Sequence, residues 1–182
     1  MEKIEKYYEN TTEAKPNYTV KRFIELNVKP GNAIELGCGA GRDTVYLIKN
    51  GWNVLAIDRE EVKSKIEAKL TKEEMKKFNF LKQKFEDVKI EKNNLVVDNF
   101  KELWNKIKNG ILKGGYFVGN FFGDNDEWKS TKEEMTFLTK EHVIKLFNDF
   151  EIIEFKEVEK DDLTGLGKIK HWHILNVIAK KL

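Results

Sequence analysis

The sequence predicts an α/β protein built on a mostly parallel sheet, with helices between its strands. Two observations carry this. Short apolar runs suited to buried strands alternate with stretches whose apolar residues recur at helical spacing. The clearest unit is Ala33-Ile-Glu-Leu-Gly-Cys-Gly-Ala-Gly-Arg42, followed by a helical stretch, a second apolar run and Asp58. Strand, glycine turn, helix, strand and terminal acid make the nucleotide-binding half of a Rossmann-like sheet, where an acid can take two ribose hydroxyls.

The elements follow in order. Residues 1–30 precede the first strand: Tyr7, Tyr8, Lys15 and Pro16 lie in a polar segment, and Val20–Leu26 reads as a helix ending near Pro30-Gly31. Ala33–Leu36 is a short buried strand, and Gly37, Gly39 and Gly41 form a turn that lets a ligand approach the backbone. Asp43–Asn50 is helical, with Val45, Leu47 and Ile48 apolar, and Trp52–Ile57 is a second strand with Asp58 at its tip. Glu60–Lys77 is a lysine- and glutamate-rich helical region broken at Thr71, an N-cap followed by Glu74. Phe78–Lys84 is strand three and Asn94–Val97 a short strand four. Phe100–Asn109 is an amphipathic helix on Phe100, Leu103, Trp104 and Ile107. Gly114-Gly115 turns into strand five, Tyr116–Phe122. Thr139 caps a helix that places Val143, Ile144 and Phe147 on one face. Glu151–Val158 and Ile169–Ala179 are the last strands, joined by the Asp161–Gly167 loop. With no internal repeat or low-complexity tract, residues 1–182 read as a single domain.

Composition narrows the partners. Net charge is +2 with 35% charged residues, a balance unlike the one-signed surface of a nucleic-acid binder. Arg22, Arg42 and Arg59 are the only arginines, so bidentate phosphate clamps are scarce. Cys38 is the single cysteine, which excludes an intramolecular disulfide. Met1–Asn10 is charged and lacks a signal-peptide core, and no apolar run approaches the roughly 20 residues of a membrane span. The expectation is a cytoplasmic protein with no nucleic-acid or membrane partner, monomeric or homodimeric.

Spacing bears on the ligand. A dinucleotide turn has G-x-G-x-x-G, but here Arg42 stands at the third position and the glycines run G-x-G-x-G. Glu35, two residues before the first glycine, would serve a pyrophosphate poorly and suits a cationic ligand with an amino group. Glu35-Leu-Gly-Cys-Gly-Ala-Gly41 with Asp58 resembles motif I and the following acid of class I S-adenosylmethionine (SAM)-dependent methyltransferases. Gly41-Arg-Asp-Thr-Val-Tyr-Leu47, Leu112–Trp128 and Lys170-His-Trp-His173 narrow the likeness to the small bacterial methyltransferases of the tellurite-resistance and thiopurine group. That resemblance covers nearly the whole chain. It implies a three-layer αβα fold with one seven-stranded sheet whose antiparallel last strand lies between strands five and six. It also implies SAM as cofactor, with S-adenosylhomocysteine (SAH) as product.

One stretch departs from that group, where a loop of about ten residues follows strand four and lines the acceptor side. Here Val97 leads at once into Asp98-Asn99-Phe100. Either the loop is lost, leaving an open acceptor site, or residues are missing here. Two residues can hardly cross back over a sheet face, so the second is expected, as a chain gap within Leu95–Asn99 with a Cα separation far above the roughly 3.8 Å of a trans peptide.

In this resemblance Asp58 accepts from the two ribose hydroxyls, or else caps the following segment. Glu35 holds the methionine amino group, or pairs with a lysine. Gly37, Cys38, Gly39 and Gly41 present backbone, and the Cys38 thiol has no chemistry. Asp43 begins the helix on the cofactor side as a cofactor-binding residue, or simply complements its helix N-terminus. Arg42 reaches the cofactor carboxylate or supports a lid, and Arg59 follows Asp58 at the cofactor. Phe85 and Glu86 meet the adenine, Phe85 being equally a core residue. Tyr8 and Lys15 close over the cofactor as part of an N-terminal helical lid, residues 1–30, or belong to a frayed terminus. His171 and His173 share one face of the last strand. They are the candidate catalytic bases near the acceptor, or else structural histidines, and no metal site accompanies them. The leading function is methyl transfer to a small-molecule acceptor, a thiol, a chalcogen or another small nucleophile. A non-catalytic SAM-binding domain and a nicotinamide-dependent oxidoreductase are the alternatives.

Overall fold

The computed structural model describes residues 2–11, 14–84 and 100–182, and the chain divides into two compact units, Met1–Asp98 and Asn99–Leu182. The first unit begins with helices α1 (Glu2–Thr11) and α2 (Tyr18–Glu25). They are followed by β1 (Asn32–Leu36), α3 (Arg42–Lys49), β2 (Asn53–Asp58), α4 (Lys63–Glu67), α5 (Lys72–Met75) and β3 (Phe78–Lys82). Its strands form a parallel sheet in the order β1-β2-β3. The central strand is the most apolar, and Val54, Ala56 and Ile57 are buried on it. α3 packs on β2 through Leu47 and Ile48, and α2 sets Phe23 against Trp52 with ring centroids 5.3 Å apart. The expected break at Thr71 is a full capping box: Glu74 N donates to Thr71 Oγ1, and Thr71 N donates to Glu74 Oε2 at 2.8 Å.

The second unit holds α6 (Phe100–Gly110), β4 (Tyr116–Gly123), a 3-10 turn at Glu127–Ser130, β5 (Phe137–Leu138), α7 (Lys140–Leu146), β6 (Phe150–Leu163) and β7 (Ile169–Lys181). Its sheet order is β5-β4-β7-β6, and β7 runs antiparallel to both β4 and β6. The last strand therefore lies between its neighbours as the resemblance implied. The core is Trp104, Val143, Phe147, Phe150, Leu175, Val177 and Ala179. The Trp104 ring stands edge-on to Phe147 at 4.9 Å and to Phe117 at 5.2 Å.

Several expectations change. The described strands form a three-stranded and a four-stranded sheet in place of one sheet of seven. Strand four (Asn94–Val97), the chain gap within Leu95–Asn99, and Phe85 and Glu86 lie outside the described residues. The polar start of the chain is helical in α1. Ile144 is 44% exposed, so α7 buries Val143, and Phe147 just past its end, without it. β6 continues through Leu163, because Asp161 and Asp162 pair with His171 and Lys170 across the ladder. The joining loop is thereby shortened from its expected start at Asp161. Among the described residues no helix is long and apolar enough to cross a membrane.

Candidate functional site

The glycine turn is tied to the tip of β2. Gly37 N and Cys38 N both donate to the Ile57 carbonyl, at 2.8 and 3.1 Å, and Gly41 N donates to Cys38 O at 2.9 Å. Gly41 opens α3 at φ 79°, a left-handed conformation costly to any other residue, and a Cβ there would stand 2.4 Å from Ile66 Cγ1. Asp58 is 6% exposed. Its Oδ2 accepts from Gly39 N at 2.8 Å and its Oδ1 from Glu60 N at 3.0 Å. A carboxylate offers about four acceptor positions, so each oxygen retains capacity for a further donor.

Around this turn lies a cavity of about 410 Å³. Its walls are Tyr8, Thr11 and Asn17 from the N-terminal segment, Glu35 from β1, the 37–40 turn with Arg42 and Asp43, and Asp58, Arg59 and Lys84. Among the described carboxyl groups Glu35 is the most perturbed. Burial pushes its carboxyl up to about 8, against a hydrogen bond from the Thr44 hydroxyl that favours the ionised form. Among the described residues it makes no lysine ion pair of the kind the sequence also allowed; Thr44, itself fully buried, is the partner found. Burial likewise raises the Cys38 thiol well beyond the usual range, as fits a residue offering backbone alone. The Tyr8 phenol is pushed up to about 12, by burial first and then by the nearby Asp58 and Glu60.

Arg42 and Asp43 both engage Asn17. Asp43 Oδ1 accepts from Asn17 N at 2.7 Å, Asp43 Oδ2 accepts from the Asn17 side chain, and Arg42 donates to Asn17 Oδ1. Asp43 thus does more than complement a helix end. Lys15 is exposed and is not among the residues lining the cavity. The sequence reading missed Thr11, Asn17, Ala40 and Lys84 as lining residues. Asn17, after Pro16 and before an apolar helical run, carried only an N-cap signal.

In the second unit, His171 and His173 do share a face of β7, and each is engaged. His173 is 2% exposed; its Nδ1 accepts from Asn125 N at 3.1 Å, and its Nε2 meets Glu157 Oε1 at 3.0 Å. A ring whose Nδ1 accepts a backbone N–H carries its proton on Nε2. His171 lies between Asp161 (2.8 Å) and Glu159 (3.2 Å), hydrogen bonds that raise its pKa. On the opposite face, buried Lys170 pairs with Asp126, and its ammonium stands 3.8 Å from the Trp172 ring centroid and 4.4 Å from that of Trp128. Among the described residues no group of three His, Cys, Asp or Glu is placed to hold a metal ion.

A model of the family described as tellurite resistance protein TehB matches residues 2–165. TehB from Haemophilus influenzae superposes with a TM-score of 0.72 at 18% identity, over 91% of this chain and 62% of that one. The present chain therefore spans less than two thirds of that protein. The 1,6-didemethyltoxoflavin-N1-methyltransferase of Burkholderia thailandensis, solved with its substrate and SAH, gives 0.63 at 16% identity, over 90% of this chain and 76% of that one. A SAM-dependent methyltransferase from Methanosarcina mazei gives 0.62 at 19%, over 88% and 97%. These likenesses show a methyltransferase-like α/β fold. No curated protein matches the chain in sequence.

Proposed function

We propose, for a chain that belongs to the tellurite resistance protein TehB family, that it is a SAM-dependent methyltransferase acting on a small-molecule nucleophile. The observation that carries this reading is the meeting of Glu35, Asp58 and the glycine turn on one cavity. That donor set fits the cofactor. A half-buried carboxyl with a raised pKa, whose hydrogen-bond partner is the Thr44 hydroxyl, suits a ligand ammonium as a direct countercharge. Asp58 has the remaining acceptor capacity for two vicinal hydroxyls, and the backbone around Gly39 allows close approach. Tyr8, lying against Gly39, would close the N-terminal side, with residues 1–30 as the lid. When bound, SAM supplies an electrophilic methyl on a sulfonium.

The acceptor reading is a polarisable nucleophile, a thiol or chalcogen anion, which needs little deprotonation. Both β7 histidines support it: His171 holds two carboxylates and His173 is closed in, so neither is poised as a base. Positioning then supplies the acceleration, and aligned intramolecular reactions reach effective molarities on the order of 10⁵–10⁸ M.

Calorimetry with SAM and SAH tests the reading, followed by product release with thiols, selenite and tellurite. The wild type binds both ligands and Asp58→Ala abolishes the heat. Undiminished binding by Asp58→Ala, or no binding by the wild type, overturns it. Binding with no turnover on any acceptor would instead favour the SAM-binding regulatory domain.

A further inference from the structure

Asn17 is held at three points by the first turn of α3. Its backbone and side-chain N–H groups meet the two oxygens of one carboxylate, Asp43, and its amide oxygen takes Arg42. Asp43 is 7% exposed, which strengthens a charge-assisted pair against solvent. Asn17 also occupies the N-cap position of α2, yet its side chain makes no capping bond there. The amide that would serve its own helix is given to another.

The consequence runs back along the chain. Ala14 N donates to Thr11 O at 3.1 Å, and Thr11 Oγ1 donates to Tyr8 O at 3.4 Å. Tyr8, Thr11 and Asn17 are the three cavity-lining residues of the N-terminal segment, and Tyr8 lies close enough to touch a Cβ built on Gly39, at 3.5 Å. We infer that Asn17 is a positioning residue for cofactor binding: clamped by Asp43 and Arg42, it fixes the N-terminal segment as one wall of the cavity beside Glu35. The clamp also occupies the charges next to Glu35, leaving that acid to answer the ligand's amino group. This inference rests on the SAM reading of the cavity.

Reversing the donors tests it. In Asn17→Asp two carboxylates face each other, and in Asp43→Asn two amide NH2 groups do. In the double variant Asn17→Asp/Asp43→Asn, the new amide donates to the new carboxylate, which still accepts from Arg42. Two readouts on the full-length chain separate the clamp from the cofactor reading: SAH affinity by calorimetry, and the rate of proteolysis of the N-terminal segment without ligand. Each single variant weakens SAH by about tenfold, the scale of one lost hydrogen bond to a charge. Each is also cut faster, and the double variant returns to within about threefold of wild type on both. Should a single variant not fold, Asn17→Ala keeps the backbone bond to Asp43 and serves in its place, with weaker SAH binding and faster ligand-free proteolysis of the N-terminal segment. Wild-type behaviour of a single variant, or a double variant no better than the singles, overturns the clamp. Proteolysis that follows the swap in a protein that binds no SAH keeps the clamp and removes the cofactor role.

Discussion

The ammonium of Lys170 is buried against the carboxylate of Asp126, with Trp128 and Trp172 across it and side-chain exposures of 2% and 0%. Asp126 has further duties: its Oδ1 accepts from Trp128 N at 3.0 Å and its Oδ2 from His173 N at 3.1 Å. One carboxylate thus fastens the 3-10 turn to the start of β7.

Removing one partner of such a pair strands the other charge in the interior, at about 3–5 kcal/mol. Lys170→Met and Asp126→Asn are each expected to lower stability on that scale in urea denaturation. Asp126→Ala is expected to be worse than Lys170→Met, because it also orphans two backbone amides. A double-mutant cycle should show the pair to be strongly non-additive.

Gly123 and His173 form a second coupled pair, since a Cβ on Gly123 would lie 2.2 Å from His173 Nδ1. Gly123→Ala therefore overpacks the sheet, a cost of about 1–3 kcal/mol. Adding His173→Ala should relieve much of that cost, as measured by thermal melting.

Neither histidine of β7 is expected to set the rate. Loss of a general base costs about 10²–10⁴-fold, so His171→Ala and His173→Ala, assayed with an accepted nucleophile, should each lose less than about tenfold in turnover. His173→Ala should nevertheless lower the melting midpoint, because the ring fills a buried site with both nitrogens engaged. A hundredfold fall in turnover at an unchanged midpoint would return the residue to catalysis.

Glu35 sets a pH dependence whose sign is fixed. Its folded pKa, about 8, lies above the ordinary 4.5, so the folded state holds the proton more tightly than the unfolded chain. Its contribution to stability is present in full below about 4.5 and is lost as pH rises through about 8. Cofactor affinity runs the other way, because the ammonium pairs with the ionised carboxyl: it should climb with pH toward about 8, by at most about tenfold per unit. Glu35→Gln should flatten both profiles, read by melting and by calorimetry across pH 5–8.

The glycine turn and its two acids were legible because their chemistry is local: strand, turn and terminal acid occur within 26 residues, from Ala33 to Asp58. The positions of β1 to β4, β6 and β7 were legible for the same reason, each apolar run carrying its own period. β5 was missed because two residues hold no period. The far end of β6 was missed because residues 159–163, nearly all charged, look like loop until His171 and Trp172 meet them. Buried Lys170 and clamped Asn17 depend on partners 44 and 26 residues away, and no local pattern announces such pairs. Ile144 fits an apolar helical face by spacing, but α7 is too short to bury all of it.

β6 is the outermost strand of its four-stranded sheet among the described residues and is fourteen residues long. An edge strand of that length can invite another chain to add itself and propagate into aggregates. Glu154, Lys156, Glu157, Glu159, Lys160, Asp161 and Asp162 crowd this strand with hydrated charge, which an incoming strand would have to desolvate. Its polar character thereby works against edge-to-edge pairing of one copy with another.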